Sequence, residues 1–218
     1  MTDFGLSRDV PVGKGKTAIL FVDVQKYSAP GGGAYTGLSG EEVEARYGYF
    51  FKEMRERAVP NMQRLQRAAR AAGIEVMYTV IESLTQDGRD LSLDYKISRL
   101  FCPKGSRDAE VIDEIRPAND EIVIPKTSSS VFVSTHIHYV LGNLGVKYLI
   151  IAGVLTDQCV DSAVRDACDF GYLVTLPTDA CATLSAARHE SSLANNRGYC
   201  RQVTTEELCA ELEGLAIQ

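Results

Sequence analysis

Three side chains in this sequence are of types that could act together on a carbonyl carbon: Asp23, Lys126 and Cys159. A cysteine sulfur can attack such a carbon. An aspartate can take the thiol proton and later return it to a leaving nitrogen as general acid. A lysine can hold that aspartate ionised, favour the thiolate and orient both partners. Each residue taken singly has an ordinary alternative: an aspartate capping a loop, a surface lysine after a proline, a small buried cysteine packing a helix start. Function is favoured by their joint placement at or just past the ends of three predicted strands.

Those strands follow from local pattern. Residues 148–152 are a short apolar, β-branched run that suits a strand covered on both faces. Gly153 breaks it, and Asp157 is the expected N-cap of a helix with Cys159 in its first turn. Val160, Ala163, Val164 and Ala167 then mark one apolar helical face. A thiol at such a helix start meets unpaired N–H groups and the positive dipole end, which lower its pKa and can bind an oxyanion. Residues 17–24 form a central strand ending near Asp23, 75–81 a second, and 121–124 a third followed by Pro125 and Lys126. Further strands are expected over 172–176 and 199–203. Helices are expected within 41–72, with Pro60 starting or kinking one and Gly73 as its cap, and over 108–115, 133–144, 186–196 and 205–215. Alternating strands and helices specify an α/β fold: a three-layer, doubly wound, mostly parallel six-stranded sheet with helices on both faces. Sites in such sheets lie beyond the carboxyl ends of the strands.

The chain of 218 residues fits an N-terminal arm, 1–16, and one domain, 17–218. A net charge of −6 with no basic cluster argues against a nucleic-acid surface. No apolar run is long enough to cross a membrane and no signal peptide is evident, so the expected location is cytoplasmic. The six cysteines form no zinc pattern and read as reduced thiols. Two loops draw notice: 27–40, a glycine-rich aromatic stretch that could be a lid, and 82–105, a long polar segment of a length usually tied to function.

The segments ILFVDVQ around Asp23, IPKTSSSVF around Lys126 and IIAGVLTDQCVDSAVRDACDFGYLVTLPTDAC around Cys159 run in one order and spacing. In these the chain resembles the isochorismatase-like cysteine hydrolase superfamily, from about residue 17 to the C-terminal helix. The resemblance implies a catalytic triad of Asp23, Lys126 and Cys159. It implies a non-proline cis peptide between Val154 and Leu155, which turns loop amides, those of Leu155 and Cys159, toward an oxyanion. It also implies a homo-oligomer, commonly a tetramer, for which the aromatic segment 47–51 could supply an interface. Isochorismatases proper lack the nucleophilic cysteine, so this chain is expected to cleave a C–N bond. Nicotinamidases carry a metal-binding aspartate and a histidine pair after the second strand; here residues 82–96 contain no histidine, and His136 and His138 are two apart, so no metal and no cofactor are expected.

For the substrate, Gln25 could bond a polar amide or merely order a loop, Glu82 could accept from ureido N–H groups, and Arg89 or Lys96 could hold a carboxylate. Arg201 and Gln202 are further candidates. Loop polarity favours a small ureide or carbamoyl compound of the biuret, triuret or ureidoacrylate type. The alternatives are a nicotinamidase-like or other small-amide hydrolase, a non-catalytic ligand-binding or scaffold protein, and a redox protein using Cys159 with Cys168 or Cys181 as partner.

Overall fold

The computed structural model describes residues 5–217; the first four residues of the arm and the last residue of the domain lie outside them. β1 (Thr17–Val22), β2 (Glu75–Ile81), β3 (Ile122–Lys126), β4 (Tyr148–Val154), β5 (Leu173–Pro177), β6 (Cys181–Ala182) and β7 (Arg201–Val203) form one sheet in the order β3-β2-β1-β4-β5-β7, with β6 beside β4. Every pairing is parallel. The expected architecture stands, with seven strands instead of six because the two-residue β6 extends the carboxyl end of β4.

The central strands are apolar on both faces because both faces are covered. On one side Ile19, Phe21, Tyr78 and Ile150 pack against α1 (Gly40–Glu53), α2 (Val59–Ala71) and α8 (Thr205–Ala216). On the other, Leu20, Val22, Met77 and Ile151 pack against α4 (Val131–Ser134), α5 (Ile137–Asn143) and α6 (Asp161–Asp169). α7 (Ala186–Asn196) precedes β7, with Leu193 against the second side. A third, smaller cluster of Tyr27, Ile81, Leu91, Tyr95, Cys102 and Ala109 roofs the carboxyl ends of the strands. The described part of the arm lies on its own chain: Val12 is buried, Arg201 Nη1 reaches the Val10 carbonyl, and Arg8 donates to the Arg197 carbonyl.

Several local expectations change. Residues 108–115 are two 3-10 turns, Arg107–Ala109 and Asp113–Ile115, separated by an antiparallel bridge between Gln25 and Val111. The helix expected over 133–144 starts earlier, at Val131, and is interrupted at Thr135, whose backbone is extended. The 82–105 loop contains a short helix, α3 (Leu93–Ser98), capped by Ser92. The 27–40 loop holds 3-10 turns with Tyr27 and Tyr35 buried. Within segment 47–51, Phe50 is buried and Tyr47 and Phe51 stack around Tyr35, so most of its apolar surface is used inside the chain.

Gly153 sits where β4 passes closest to β1. Its φ is 128°, and a Cβ built there would lie 2.2 Å from the Val22 carbonyl oxygen and 2.6 Å from the Val22 nitrogen. Both strands are central and cannot part without opening the core. Gly153→Ala is therefore expected to cost about 3 kcal/mol or more of stability, read as a lowered urea midpoint. An unchanged midpoint would contradict the close packing of β1 against β4.

Candidate active site

The sheet reverses its strand order between β1 and β4, which leaves a crevice at their carboxyl ends. Asp23 follows β1 directly, in the left-handed region at φ 56°, a conformation aspartate tolerates better than most residues. Its amide donates to the Thr79 carbonyl at 3.0 Å and its Oδ1 accepts from Thr79 Oγ1 at 2.9 Å, so β2 fixes the side chain from below. Lys126 is the last residue of β3, an edge strand, which lets Pro125 precede it without losing a ladder bond on both sides. From there its side chain reaches across the end of β2 toward β1. After β4, the Val154–Leu155 peptide is cis, and residues Thr156–Val160 form a π turn that leads into α6.

These three elements bring Asp23, Lys126 and Cys159 together. Lys126 Nζ lies 2.8 Å from Asp23 Oδ2 and 3.3 Å from Cys159 Sγ, and donates to the Ser128 carbonyl at 2.8 Å. The lysine is 0% exposed, the aspartate 3% and the cysteine 7%. The ammonium and Asp23 Oδ2 therefore form a buried ion pair at charge-assisted hydrogen-bond distance. A fourth group joins them: the buried Tyr95 hydroxyl accepts from Lys126 Nζ at 2.7 Å and lies 3.7 Å from Cys159 Sγ. Tyr95 escaped the sequence reading because it sits inside a stretch of polar and charged residues that reads as solvated loop; the only available signal was Ser92 three residues earlier, an N-cap that turns one aromatic inward.

The electrostatics follow from this enclosure. Burial pulls the Lys126 ammonium down, but the adjacent Asp23 carboxylate and Cys159 sulfur outweigh it and hold the amine above its ordinary value, hence charged. Burial pushes the Cys159 thiol up, and the Asp23 carboxylate adds to it; Lys126 opposes both, and the thiol ends at about 11. This direction is opposite to the lowering expected from a helix start, and its causes are desolvation and the neighbouring carboxylate. Tyr95 is pushed up by burial, and further by Asp23 and Cys159, so its phenol stays neutral.

The turn carrying Cys159 is tied down by α7 and its approach. Asp157 accepts from Thr183 Oγ1 and Arg188 Nε, Thr156 Oγ1 meets His189 Nδ1 at 2.9 Å, and Ser192 Oγ donates to the Thr156 carbonyl at 3.0 Å. Asp157 thus acts as a tether and not as an N-cap; the cap position is Leu155, whose carbonyl accepts from the amides of Gln158 and Val160. The Leu155 residue itself is half-buried at the start of this turn.

The structure does not bring the substrate-contact candidates into the cluster. Gln25 is buried, with Nε2 donating to the carbonyls of Ile81 and Asp108 and Oε1 accepting from the Ile81 amide; it orders loops, and its amide is spent on backbone. Glu82 Oε1 accepts from the Gly105 amide at 2.7 Å. Gln202 Nε2 donates to the Leu193 carbonyl at 2.6 Å and Arg201 pairs with Glu211, both on the β7 side. Arg89 pairs with Asp87 on the surface, and Lys96 donates to the Arg89 carbonyl. His138 Nδ1 meets the Tyr172 hydroxyl. Among the described residues all six cysteines are unpaired, no group of three or more His, Cys, Asp or Glu side chains is arranged to hold a metal ion, and no helix is long and apolar enough to cross a membrane.

A doubly wound parallel sheet with a buried thiol, carboxylate and ammonium at its switch point defines an α/β protein of the cysteine-site class. Residues 17–207 match the isochorismatase domain. The chain is 30% identical over 182 residues to ureidoacrylate amidohydrolase RutB of Rhizobium rhizogenes, covering 76% of this chain and 70% of that protein. It is 34% identical over 129 residues to N-carbamoylsarcosine amidase of Arthrobacter sp, covering 57% of this chain and 49% of that one. The crystal structure of a cysteine hydrolase from Pseudomonas syringae pv. phaseolicola 1448A superposes with a TM-score of 0.78 at 25% identity, covering 94% of this chain and 96% of that one. The chain belongs to the isochorismatase family and is a hydrolase.

The state of the thiol can be tested without a substrate. Since the thiolate is the nucleophile and its pKa is about 11, the rate of Cys159 alkylation by iodoacetamide is expected to rise about tenfold per pH unit from pH 7 to about pH 10. Peptide mass spectrometry separates Cys159 from the other five thiols. A rate that is already at its plateau at pH 7 would show a thiolate–ammonium pair instead.

Proposed function

We propose that the chain is a cysteine amidohydrolase that cleaves a C–N bond of a small ureide or carbamoyl compound through a thioester on Cys159. The observation that carries this reading is the enclosed contact of Lys126 Nζ with Asp23 Oδ2 and Cys159 Sγ, at 2.8 and 3.3 Å. The Asp23 carboxyl shares this enclosure with the Cys159 thiol, which burial and the carboxylate push up, an arrangement that suits a general base. Ureides are favoured because the relatives at about 30% identity include a ureidoacrylate amidohydrolase and an N-carbamoylsarcosine amidase.

In this mechanism Cys159 Sγ attacks the carbonyl carbon of R–NH–CO–NH2 while its proton passes to Asp23. The tetrahedral oxyanion is met by the amides of Leu155 and Cys159, where loss of one such donor typically costs about 3–4 kcal/mol. The C–N bond then breaks, and Asp23 gives its proton to the leaving nitrogen. Water attacks the resulting thioester, Asp23 takes the water's proton, the C–S bond breaks and the proton returns to sulfur. Lys126 stays charged throughout and lies beside Asp23 and Cys159 in both halves.

The test is ammonia release from biuret, triuret, ureidoacrylate, N-carbamoylsarcosine and nicotinamide by wild type and Cys159→Ala, each with and without a chelator. Turnover of a ureide is expected, indifferent to chelator and reduced at least about 10³-fold in the variant. Turnover of nicotinamide alone, abolished by chelator, would point to a different substrate class and a metal-dependent site.

A further inference from the structure

We infer that Tyr95 is a positioning residue of this site: its hydroxyl relays the Lys126 charge to Cys159 by donating a hydrogen bond to the sulfur. The inference deepens the proposed function, resting on Cys159 as the nucleophile, and concerns a residue of the polar loop that the triad does not include.

Counting protons around the cluster leads to it. An ammonium has three N–H donors. Around Lys126 Nζ stand four acceptors: the Tyr95 hydroxyl oxygen at 2.7 Å, the Ser128 carbonyl at 2.8 Å, Asp23 Oδ2 at 2.8 Å and Cys159 Sγ at 3.3 Å. Asp23 Oδ1 accepts from Thr79 Oγ1, and Oδ2 lies 2.8 Å from Lys126 Nζ. Since the Tyr95 oxygen accepts from Lys126, its own proton is free to donate, and the acceptor at hand is Cys159 Sγ, 3.7 Å away. A hydroxyl that accepts from a cation is polarised, and its own proton becomes a better donor. The sulfur thus faces two donors, one charged and one polarised, and both gain strength as the thiolate forms during attack.

The phenol is held to this task from several sides. The Ser92 amide donates to the Thr127 carbonyl, tying the start of α3 to the chain just past Lys126. Ser92 Oγ accepts from the Tyr95 amide, and the Leu100 amide donates to the Tyr95 carbonyl. The ring packs with Tyr27, Ile81, Leu91, Cys102 and Ala109 and is 0% exposed. The preceding loop is fastened by Asp90, which accepts from Ser83 Oγ, Thr85 Oγ1 and the Leu84 amide. A tyrosine needed only to fill this space would not require its hydroxyl against the one buried ammonium of the site.

The test is Tyr95→Phe, which keeps the ring and removes the hydroxyl. The pH profile of Cys159 alkylation is expected to move up by about one unit, and kcat to fall about tenfold with KM changing less than about threefold. Should the phenylalanine variant not fold, 3-fluorotyrosine placed at position 95 alone supplies a more acidic phenol of nearly the same shape, and the alkylation profile is expected to move down. An alkylation profile that does not move in the folded variant, whatever happens to its thermal stability, overturns the inference. Alkylation needs no substrate, so this result is independent of the proposed function, whose own failure would show as turnover surviving in Cys159→Ala.

Discussion

Two charges buried side by side, the Lys126 ammonium and the Asp23 carboxylate 2.8 Å apart, set the terms for the rest of the site. Taking each ion out of water costs several kcal/mol, and the pair alone repays that only when the remaining lone pairs and protons are satisfied. The surroundings do this: Thr79 bonds one carboxylate oxygen, while the Ser128 carbonyl and the Tyr95 hydroxyl take two of the ammonium protons. The other carboxylate oxygen faces the ammonium, which also reaches Cys159 Sγ at 3.3 Å. The cluster thus holds carboxylate, ammonium and thiol within one buried, hydrogen-bonded group.

The fold supplies the convergence. β1 and β4 are neighbours, so the residues that follow them start one strand spacing apart, and the lysine on β3 needs only to cross β2. Gly153 lets β4 approach β1 closely, and α7 clamps the turn bearing Cys159 through Asp157, Thr156 and their partners. The clamp and the roof around Tyr95 belong to segments far apart in sequence, so a site built largely from loops is held by tertiary contacts.

The central sheet and the triad positions were legible in the sequence because their signals are local and strong. Strands covered on both faces read as unbroken apolar runs; Asp23 follows one, Lys126 ends the edge strand β3, and Cys159 lies one turn past β4. What was not legible depends on partners distant in the chain. Gln25, Glu82 and Gln202 are polar residues near strand ends, and nothing local tells a side chain facing a cleft from one bonding a passing backbone group; all three do the latter. Asp157 has the type and place of an N-cap, but Arg188 and Thr183 draw it away. Tyr95 is the converse, a functional-looking contact hidden in a polar stretch, because the short helix that turns it inward is anchored by a tertiary bond from the Ser92 amide to the Thr127 carbonyl rather than marked by periodicity.

The central claim is that Asp23 receives the proton of Cys159 as the carbon–sulfur bond forms. Rapid acid quench followed by intact-mass and peptide analysis tests this directly, using a ureide that the wild type turns over and comparing wild type with Asp23→Asn. The account expects a carbamoyl or acyl adduct on Cys159 in the wild type within the first turnover, and its formation slowed at least about 10²-fold in the variant. An adduct that forms at the same rate in Asp23→Asn, or that maps to another residue, would contradict it.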